Sequence, residues 1–438
     1  MNWSELPDLA AVALLASAFA SVARRSQTPV SGLWLTGWIM ISLHFGAFLF
    51  LNAPGRWGYL AGTLGLAALT WAGVLFMWAS VPYRREGSSR LILLSLLAIN
   101  TVYLALVNAD PVPMWALRPA AAMFGVLPLG IALIYLRKFN HPLRWILVSI
   151  YVALSVFLLA VQERPGGTDL ALNAVLFTVY LGCTLHFWYT YRRATAGAFI
   201  TIAGFLAWAS VFVVAPFMQS FFSGVHIESE VWNLPKYVVA VGMILLLLEN
   251  QIEHNKYLAL HDDLTGLPNR RLFQDRLASA LERARRTEAQ AGLLIIDLDR
   301  FKQVNDTLGH HVGDLLLQRV ATIFSERVRR SDTVARTGGD EFSVILEEPT
   351  SREEALHVGQ SLIELLSEPI QLGQHNVRVG ASVGIAVFPY DAPDMETLCI
   401  QADLRMYDAK RSTEPTIERL EPVAAEARAE FQFQEQAS

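Results

Sequence analysis

Two patterns of hydrophobic and polar positions divide the chain. Up to about Leu248 it reads as long apolar runs separated by short polar stretches; beyond that, apolar and charged positions alternate in short segments. A helix needs about 20 apolar residues to cross a bilayer. About nine runs approach that length: Pro7–Ala23, Val30–Leu51, Gly58–Val81, Leu91–Asn108, Met114–Leu136, Leu143–Val161, Leu170–Tyr191, Ala196–Phe222 and Leu234–Leu248, the first and last being the shortest. In the second half, AGLLIIDLDRF reads as a buried strand ending in Asp297 and Asp299. GDLLLQRVATIFSERVRR follows as a helix, then DTVARTGGDEFSVILEE as a hairpin in which Gly338-Gly339 supply the positive φ of a tight turn. EEALHVGQSLIELLSE is a further helix, VRVGASVGIAVF is strand material and TLCIQADLRMYDAK a last helix. Such alternation predicts one α/β or α+β domain with helices packed on a mostly antiparallel sheet.

Composition sharpens the division. Only 17% of the 438 residues are charged, below the roughly 25% of soluble domains, and the shortfall lies in the first half. A net charge of -5 gives no bulk affinity for nucleic acid, and two cysteines, Cys183 and Cys399, make no disulfide framework. Basic clusters fall in every second loop: Arg24-Arg25, Arg84-Arg85 with Arg90, Arg137-Lys138 with Arg144, and Arg192-Arg193. The other loops carry only Arg56, Arg164 and Lys236, and include the acidic SGVHIESEVWN. The positive-inside rule then predicts a multi-pass protein of the inner (cytoplasmic) membrane, with its N-terminus outside and its second half in the cytoplasm. The start MNWSELPDLA has no basic residue, which argues against a cleaved signal peptide. Polar residues within the spans are His44, Cys183 and His186; the last two share a helix face, as a haem or metal site or as a helix–helix hydrogen bond.

Between the halves, LLLLENQIEHNKYLALHDDLTGLPNR carries Leu248, Ile252 and Leu258–Leu260 on a roughly helical stripe, suited to a short parallel coiled coil between two protomers or to a plain amphipathic linker. The expected organisation is a membrane region at 1–248, a helical linker at 249–262, an α/β domain at 263–413 and a disordered acidic tail at 414–438.

Asp340 and Glu341 stand side by side at a turn, where like charges repel. If that hairpin neighbours the strand ending at Asp297, three carboxylates converge at one rim. Hard oxygen ligands in that number suit Mg²⁺, which takes one or two carboxylates together with substrate phosphates. The adjacent glycines leave room for a phosphate, so the turn reads as a place where metal is held against a nucleoside triphosphate.

The turn does not stand alone. DDLTGLPNRR (Asp262–Arg271), DLDRFKQVNDTLGHHVGD (Asp297–Asp314), RRSDTVARTGGDEF (Arg329–Phe342), SVGIA (Ser382–Ala386) and ADLRMYDAK (Ala402–Lys410) occur in that order. Together they resemble the GGDEF domain of diguanylate cyclases over about His261 to Arg411. The resemblance implies a palm-like βααββαβ core similar to nucleotidyl cyclases, joining two GTP into cyclic di-GMP with release of two pyrophosphates. It implies Mg²⁺ on Asp297, Glu341, Asp340 and the carbonyl of Leu298, with Asp340 also the base toward the ribose 3′-hydroxyl. Lys302 would stabilise the transferring phosphate, Asn305 and Asp314 would read guanine with His310 close by, and Lys410 would contact phosphates. Arg329 and Asp332 match the family's RxxD product-inhibition site, and two facing domains, hence a homodimer, would be needed for turnover.

Simpler roles exist for several of these residues: a cap for Asn305, a first-turn helix acid for Asp314, solvated surface lysines for Lys302 and Lys410, and a surface ion pair for Arg329 with Asp332. Where the family usually has Gly-Arg after the final helix, this chain has Thr413-Glu414, with Arg411 a possible substitute; Arg405 stands where a small residue is usual. Thr413-Glu414 speaks for the alternative of a catalytically weak domain that only receives GTP or cyclic di-GMP, and the intact acids speak against it. A transporter with a regulatory second half lacks an internal repeat to support it. Glu354-Ala355-Leu356 spells a phosphodiesterase motif but reads as a chance match in a helix, with too little chain after it for that domain.

Overall fold

The computed structural model describes residues 2–26, 29–79, 89–109, 112–134, 144–191, 195–221, 229–347, 351–373 and 375–411. The basic clusters at Arg84-Arg85, Arg137-Lys138 and Arg192-Arg193, most of SGVHIESEVWN, Thr413-Glu414 and the tail 414–438 lie outside them. Two compact units divide the chain at Glu253/His254.

In the first unit, the nine expected runs appear as helices: α1 (Leu6–Ser26), α2 (Pro29–Phe48), α3 (Arg56–Ala79), α4 (Ser89–Val107), α5 (Met114–Ile134), α6 (Arg144–Val161), α7 (Gly167–Thr190), α8 (Ala196–Phe221) and α9 (Ser229–Leu260). Among the described residues, eight candidate spans are long and apolar enough to cross a membrane; the apolar part of α6, Trp145–Val161, is shorter. The last run was expected to be brief, yet α9 is a helix of 32 residues and contains most of the linker. Lys236, assigned to a loop from the sequence, lies buried within α9. An aromatic core fills this unit, with Trp34, Trp38, Phe76, Tyr180, Phe205 and Trp208 fully buried.

The second unit opens with α10 (Arg270–Thr287), whose first turn is capped by the Asn269 side chain accepting from Arg271 N and Leu272 N. Then come β1 (Ala291–Asp299), α11 (Phe301–Leu308), α12 (His310–Arg327), β2 (Thr333–Arg336), β3 (Glu341–Leu346), α13 (Arg352–Ser367), β4 (Ile370–Leu372), β5 (His375–Val377), β6 (Gly380–Phe388) and α14 (Met395–Arg411). Apart from the small β4–β5 hairpin, which the sequence pattern did not announce, this is the expected βααββαβ order. The main sheet has the order β2-β3-β1-β6, and every pairing in it is antiparallel. β1 is central and buried on both faces, so its run Leu293–Ile296 is apolar without alternation. Both faces carry helices: α12 and α13 pack on one, α10 and α14 on the other.

Phe342 secures the site from behind. It is fully buried next to Glu341 and meets Phe324 of α12 edge-on, with ring centroids 5.4 Å apart. Burying such a ring contributes about 2–3 kcal/mol, and β3 therefore enters the sheet at a fixed residue.

Candidate active site

The rim of the sheet brings the acids together. Antiparallel register sets Asp297 of β1 directly opposite Glu341 of β3, and opposite Ser382 of β6 on its other side. Residues opposite one another in antiparallel strands share a face. Asp340 immediately precedes β3, and its carbonyl accepts from Leu298 N at 3.2 Å, which seats the Leu298 backbone against the turn. Asp340 and Asp299 are neighbouring negative charges acting on Asp297. Ser382 Oγ donates to Asp299 Oδ1 at 2.8 Å and keeps that second carboxylate at the strand end.

The glycines of the turn do not work as the sequence suggested. Neither Gly338 nor Gly339 has a positive φ, because the connection from Thr337 to Asp340 is longer than a two-residue hairpin turn. Gly338 provides space instead: a Cβ there would stand 2.6 Å from Glu341 Oε2.

Asp297 is 6% exposed, and burial pushes its carboxyl upward; Lys410, donating from Nζ to Asp297 Oδ1 at 2.7 Å, opposes that rise. The same hydrogen bond raises the Lys410 ammonium above its ordinary range. The rim thus already binds a cationic group. Among the described residues, no three His, Cys, Asp or Glu side chains close into a cage for a metal ion. A donor set of this kind fits an ion that takes only one or two carboxylates and completes its shell with phosphates and water, as Mg²⁺ does.

The remaining predicted residues fall into two groups. Arg300, with φ 59°, turns the chain from β1 directly into α11, and places Lys302, exposed, on that helix's first turn. Asn305 lies over Gly313, where a Cβ would sit 1.9 Å from Asn305 Oδ1. The missing side chain lets Asn305 lie against the residue that precedes Asp314, and His310 opens α12, exposed. Arg329 and Asp332 lie at the far end of β2 from the turn, about 13 Å away at four residues of strand. They do not form an ion pair with each other. Asp332 accepts from Arg329 N and Glu347 N, at 3.0 and 3.1 Å, while the Arg329 guanidinium pairs with Glu354 at 2.7 Å.

Sequence reasoning assigned no role to the residues that brace the turn. Arg336 donates from Nε and Nη2 to Gly339 O at 3.1 and 2.7 Å, and from Nη1 to both Asp262 oxygens at 2.9 and 3.1 Å. Asp262 also accepts from Thr265 N and Oγ1. Asn269 N donates to Leu260 O and its amide to Ala259 O, so the same segment holds the last turn of α9. Arg405 turns out to be built in: it donates to Ile385 O at 2.6 Å and pairs at 3.0 Å with Asp391, a residue whose other oxygen accepts from Val387 N. That bridge ties α14, which carries Lys410, to β6.

The polar residues noted in the spans do not converge. Cys183 Sγ donates to Gly73 O of α3, His186 Nδ1 bonds Gly182 O of its own helix, and His44 Nδ1 bonds Gly65 O of α3. Cys183 therefore makes the helix–helix hydrogen bond that was one of its two readings.

Comparison with known proteins bears on this geometry. The family described as diguanylate cyclase, GGDEF domain, matches residues 259–415. The bifunctional diguanylate cyclase/cyclic di-GMP phosphodiesterase MucR of Pseudomonas aeruginosa is 30% identical over 410 residues, covering 87% of this chain and 54% of MucR. Diguanylate cyclase TpbB of the same organism is 43% identical over 154 residues, or 35% of each chain. The crystal structure of the TpbB GGDEF domain is 40% identical, with 36% of this chain and 99% of that chain covered and a TM-score of 0.34. The chain thus spans about half of the first curated relative and about a third of the second. The Gly-Gly-Asp-Glu turn, the strand acid opposite it and the family match show a GGDEF domain at residues 259–415, with diguanylate cyclases among its homologues.

Proposed function

We propose that the chain is a membrane-bound diguanylate cyclase that condenses two GTP into cyclic di-GMP and two pyrophosphates. The observation that carries the reading is the register of β1 against β3, which faces Asp297 with Glu341 and lays Asp340 beside Leu298. In each of two steps a ribose 3′-oxygen attacks an α-phosphorus. A P–O bond forms, the bond to pyrophosphate breaks, and the hydroxyl proton passes to Asp340. Mg²⁺ bound by Asp297, Glu341, Asp340 and the Leu298 carbonyl would supply charge neutralisation on the phosphates. Lys302 meets the transferring phosphate, and Lys410 exchanges Asp297 for a phosphate oxygen when nucleotide arrives. Asn305 and Asp314 offer donor and acceptor groups to the guanine edge, with His310 nearby.

Each domain holds one GTP, so a two-fold homodimer with opposed sites is the active form. Ile252, Tyr257 and Leu258, large apolar residues exposed on α9, support pairing along that helix. Cyclic di-GMP binds back at Arg329 and Asp332 as inhibitor. The lipid bilayer holds the first unit in the inner membrane with the GGDEF domain in the cytoplasm. A reporter joined after Arg193 is expected to read as cytoplasmic and one after Gly224 as external; the reverse would refute this topology.

The deciding assay is conversion of GTP to cyclic di-GMP by membranes containing the full chain. Asp340→Asn, which keeps shape and removes base and metal ligand together, lowers the rate by about 10²–10³-fold or more. Near-normal turnover by the folded variant would refute the mechanism. Tight GTP or cyclic di-GMP binding without turnover by the native chain would instead support the receptor reading.

A further inference from the structure

The first unit contains a buried ionic cluster that catalysis does not use. Asp8, in the first turn of α1, is 2% exposed; Asn233 and Lys236, near the start of α9, are 8% and 6% exposed. Asn233 Nδ2 donates to Asp8 Oδ2 at 2.5 Å, and Tyr237 OH donates to Asp8 Oδ1 at 2.6 Å. The Lys236 ammonium donates to Asn233 Oδ1 and lies over the Phe45 ring of α2, 4.5 Å from its centroid, with Trp208 of α8 at 5.9 Å. One amide thus bridges a carboxylate on the first helix to an ammonium on the last. Both helices are candidate membrane spans, and ionised side chains are costly in spans and concentrate where a span has a task.

The position of the cluster in α9 suggests the task. Pro235 lies between Asn233 and Lys236 and has no N–H to give to the carbonyl four residues earlier. A helix bends most readily at such a break, and side-chain contacts beside it select the bend. Asn233, Lys236 and Tyr237 flank the break and hold Asp8 and the aromatic rings of two other helices. The other end of α9 is also held. Ala259 and Leu260 accept from Asn269, and Asp262, two residues beyond the helix, binds the arginine that grips Gly339 beside Asp340.

We propose that Asp8, Asn233, Lys236 and Tyr237 form a clasp that sets the bend of α9 at Pro235, and that the setting of this clasp is the input by which the first unit adjusts the rate at the Asp340 turn. The inference rests on the cyclase reading. Asp8 acts here as a positioning residue, far along the chain from the chemistry.

The test uses the full chain in membranes, with cyclic di-GMP formation normalised to inserted protein. Asp8→Asn and Tyr237→Phe each weaken the hold of α1 on α9. Each is expected to shift the saturated rate about fivefold or more, in the same direction, with KM for GTP unchanged. The double variant should shift it no further than the larger single change, because both break one contact. Ser210→Ala, a half-buried α8 position outside the clasp, serves as control. Rates within about twofold of the native chain, shifts of opposite sign, or effects that multiply would overturn the proposal. If Asp8→Asn fails to insert, Tyr237→Phe, which removes only a hydroxyl, decides alone. A native chain that binds GTP without turnover overturns the cyclase reading but not the clasp. Protease cleavage within 261–269 then decides: an altered rate in Tyr237→Phe sustains the clasp, and an unchanged rate sinks it.

Discussion

The two units treat their polar side chains in opposite ways. In the GGDEF domain the predicted site residues stand at strand ends and turns, with capacity left over: Glu341 and Lys302 are exposed, and Lys410 donates to only one of the two oxygens of the buried Asp297. In the helical unit Cys183, His44 and Asp8 are buried and turned inward onto backbone carbonyls or onto other side chains. A rim that meets a charged nucleotide must keep donors and acceptors unspent. A helix bundle in hydrocarbon must satisfy them internally, since no water is there to do it. The contrast teaches that a polar residue's function is read from what its hydrogen bonds leave over, more than from its presence.

Breaking the brace behind the rim gives the largest effect expected from a residue that never touches nucleotide. Arg336→Ala leaves the Gly339 carbonyl without two donors and Asp262 without its cation. Hydrogen bonds to charged groups contribute about 1.5–3 kcal/mol. A misplaced Asp340 turn lowers kcat by about 10²-fold, measured as cyclic di-GMP formed at saturating GTP. The pH dependence gives a second readout. Burial pushes the Asp262 carboxyl up, but hydrogen bonds from Thr265 and Arg336 outweigh it, and the net shift is downward. A lowered folded pKa gives stability that is present above the ordinary aspartate range and lost as pH falls through the lower folded value. Arg336→Ala therefore moves acid unfolding to higher pH, while Asp262→Asn removes this contribution at every pH. An acid midpoint identical in native and Arg336→Ala chains would contradict the assignment.

A smaller and more selective effect is expected at the α11–α12 hairpin. Gly313→Ala introduces a Cβ 1.9 Å from Asn305 Oδ1, and the Asn305 side chain must leave its place against the residue that precedes Asp314. If these two residues read guanine, KM for GTP rises about 10-fold while kcat holds, because a lost recognition contact acts on binding more than on chemistry. A fall in kcat at constant KM would move Asn305 out of the recognition role.

Smaller again is the effect of freeing Arg329. Its guanidinium pairs with Glu354, so product must compete with that carboxylate. Glu354→Gln is expected to tighten product inhibition by a few-fold, the scale of an exposed ion pair. Arg329→Ala should keep progress curves straight as cyclic di-GMP accumulates, with the initial rate unchanged. Identical slowing of all three chains by added product would remove the inhibition site.

Much of this was legible in the sequence where the signal is local. Period and length announced the nine helices, and a buried apolar run ending in Asp297 announced β1. What escaped depends on pairs distant in sequence: Asp262 with Arg336 is separated by 74 positions, and Asp8 with Asn233 by 225. No periodicity encodes such partners. Lys236 escaped for a different reason. A lysine beside a proline at the edge of an apolar run looks like loop, and it takes Asn233, Phe45, Trp208 and the nearby Asp8 carboxylate to make burial tolerable. Gly338 was noticed for the wrong property, since φ and space are indistinguishable in a one-letter code.

The smallest effect is expected in the helical unit, and it tests the contrast from its quiet side. Cys183 is fully buried on α7 and donates to Gly73 O across the helix interface. A sulfur donor makes a weak hydrogen bond, and Cys→Ala removes one heavy atom with it. The interface beside it is close-packed: a Cβ on Gly73 would stand 2.4 Å from Val179 Cγ1. Cys183→Ala is thus expected to cost about 1 kcal/mol, from one modest hydrogen bond and a small void. Cyclic di-GMP output should stay within about twofold of the native chain, since the bond holds α7 to α3 and touches neither the clasp nor α9. Gly73→Ala, which forces the same two helices apart, should destabilise by more. Thermal inactivation of membranes and the output assay together check this. A large change in output from Cys183→Ala, with stability intact, would show that the inward-turned polar groups carry signal after all.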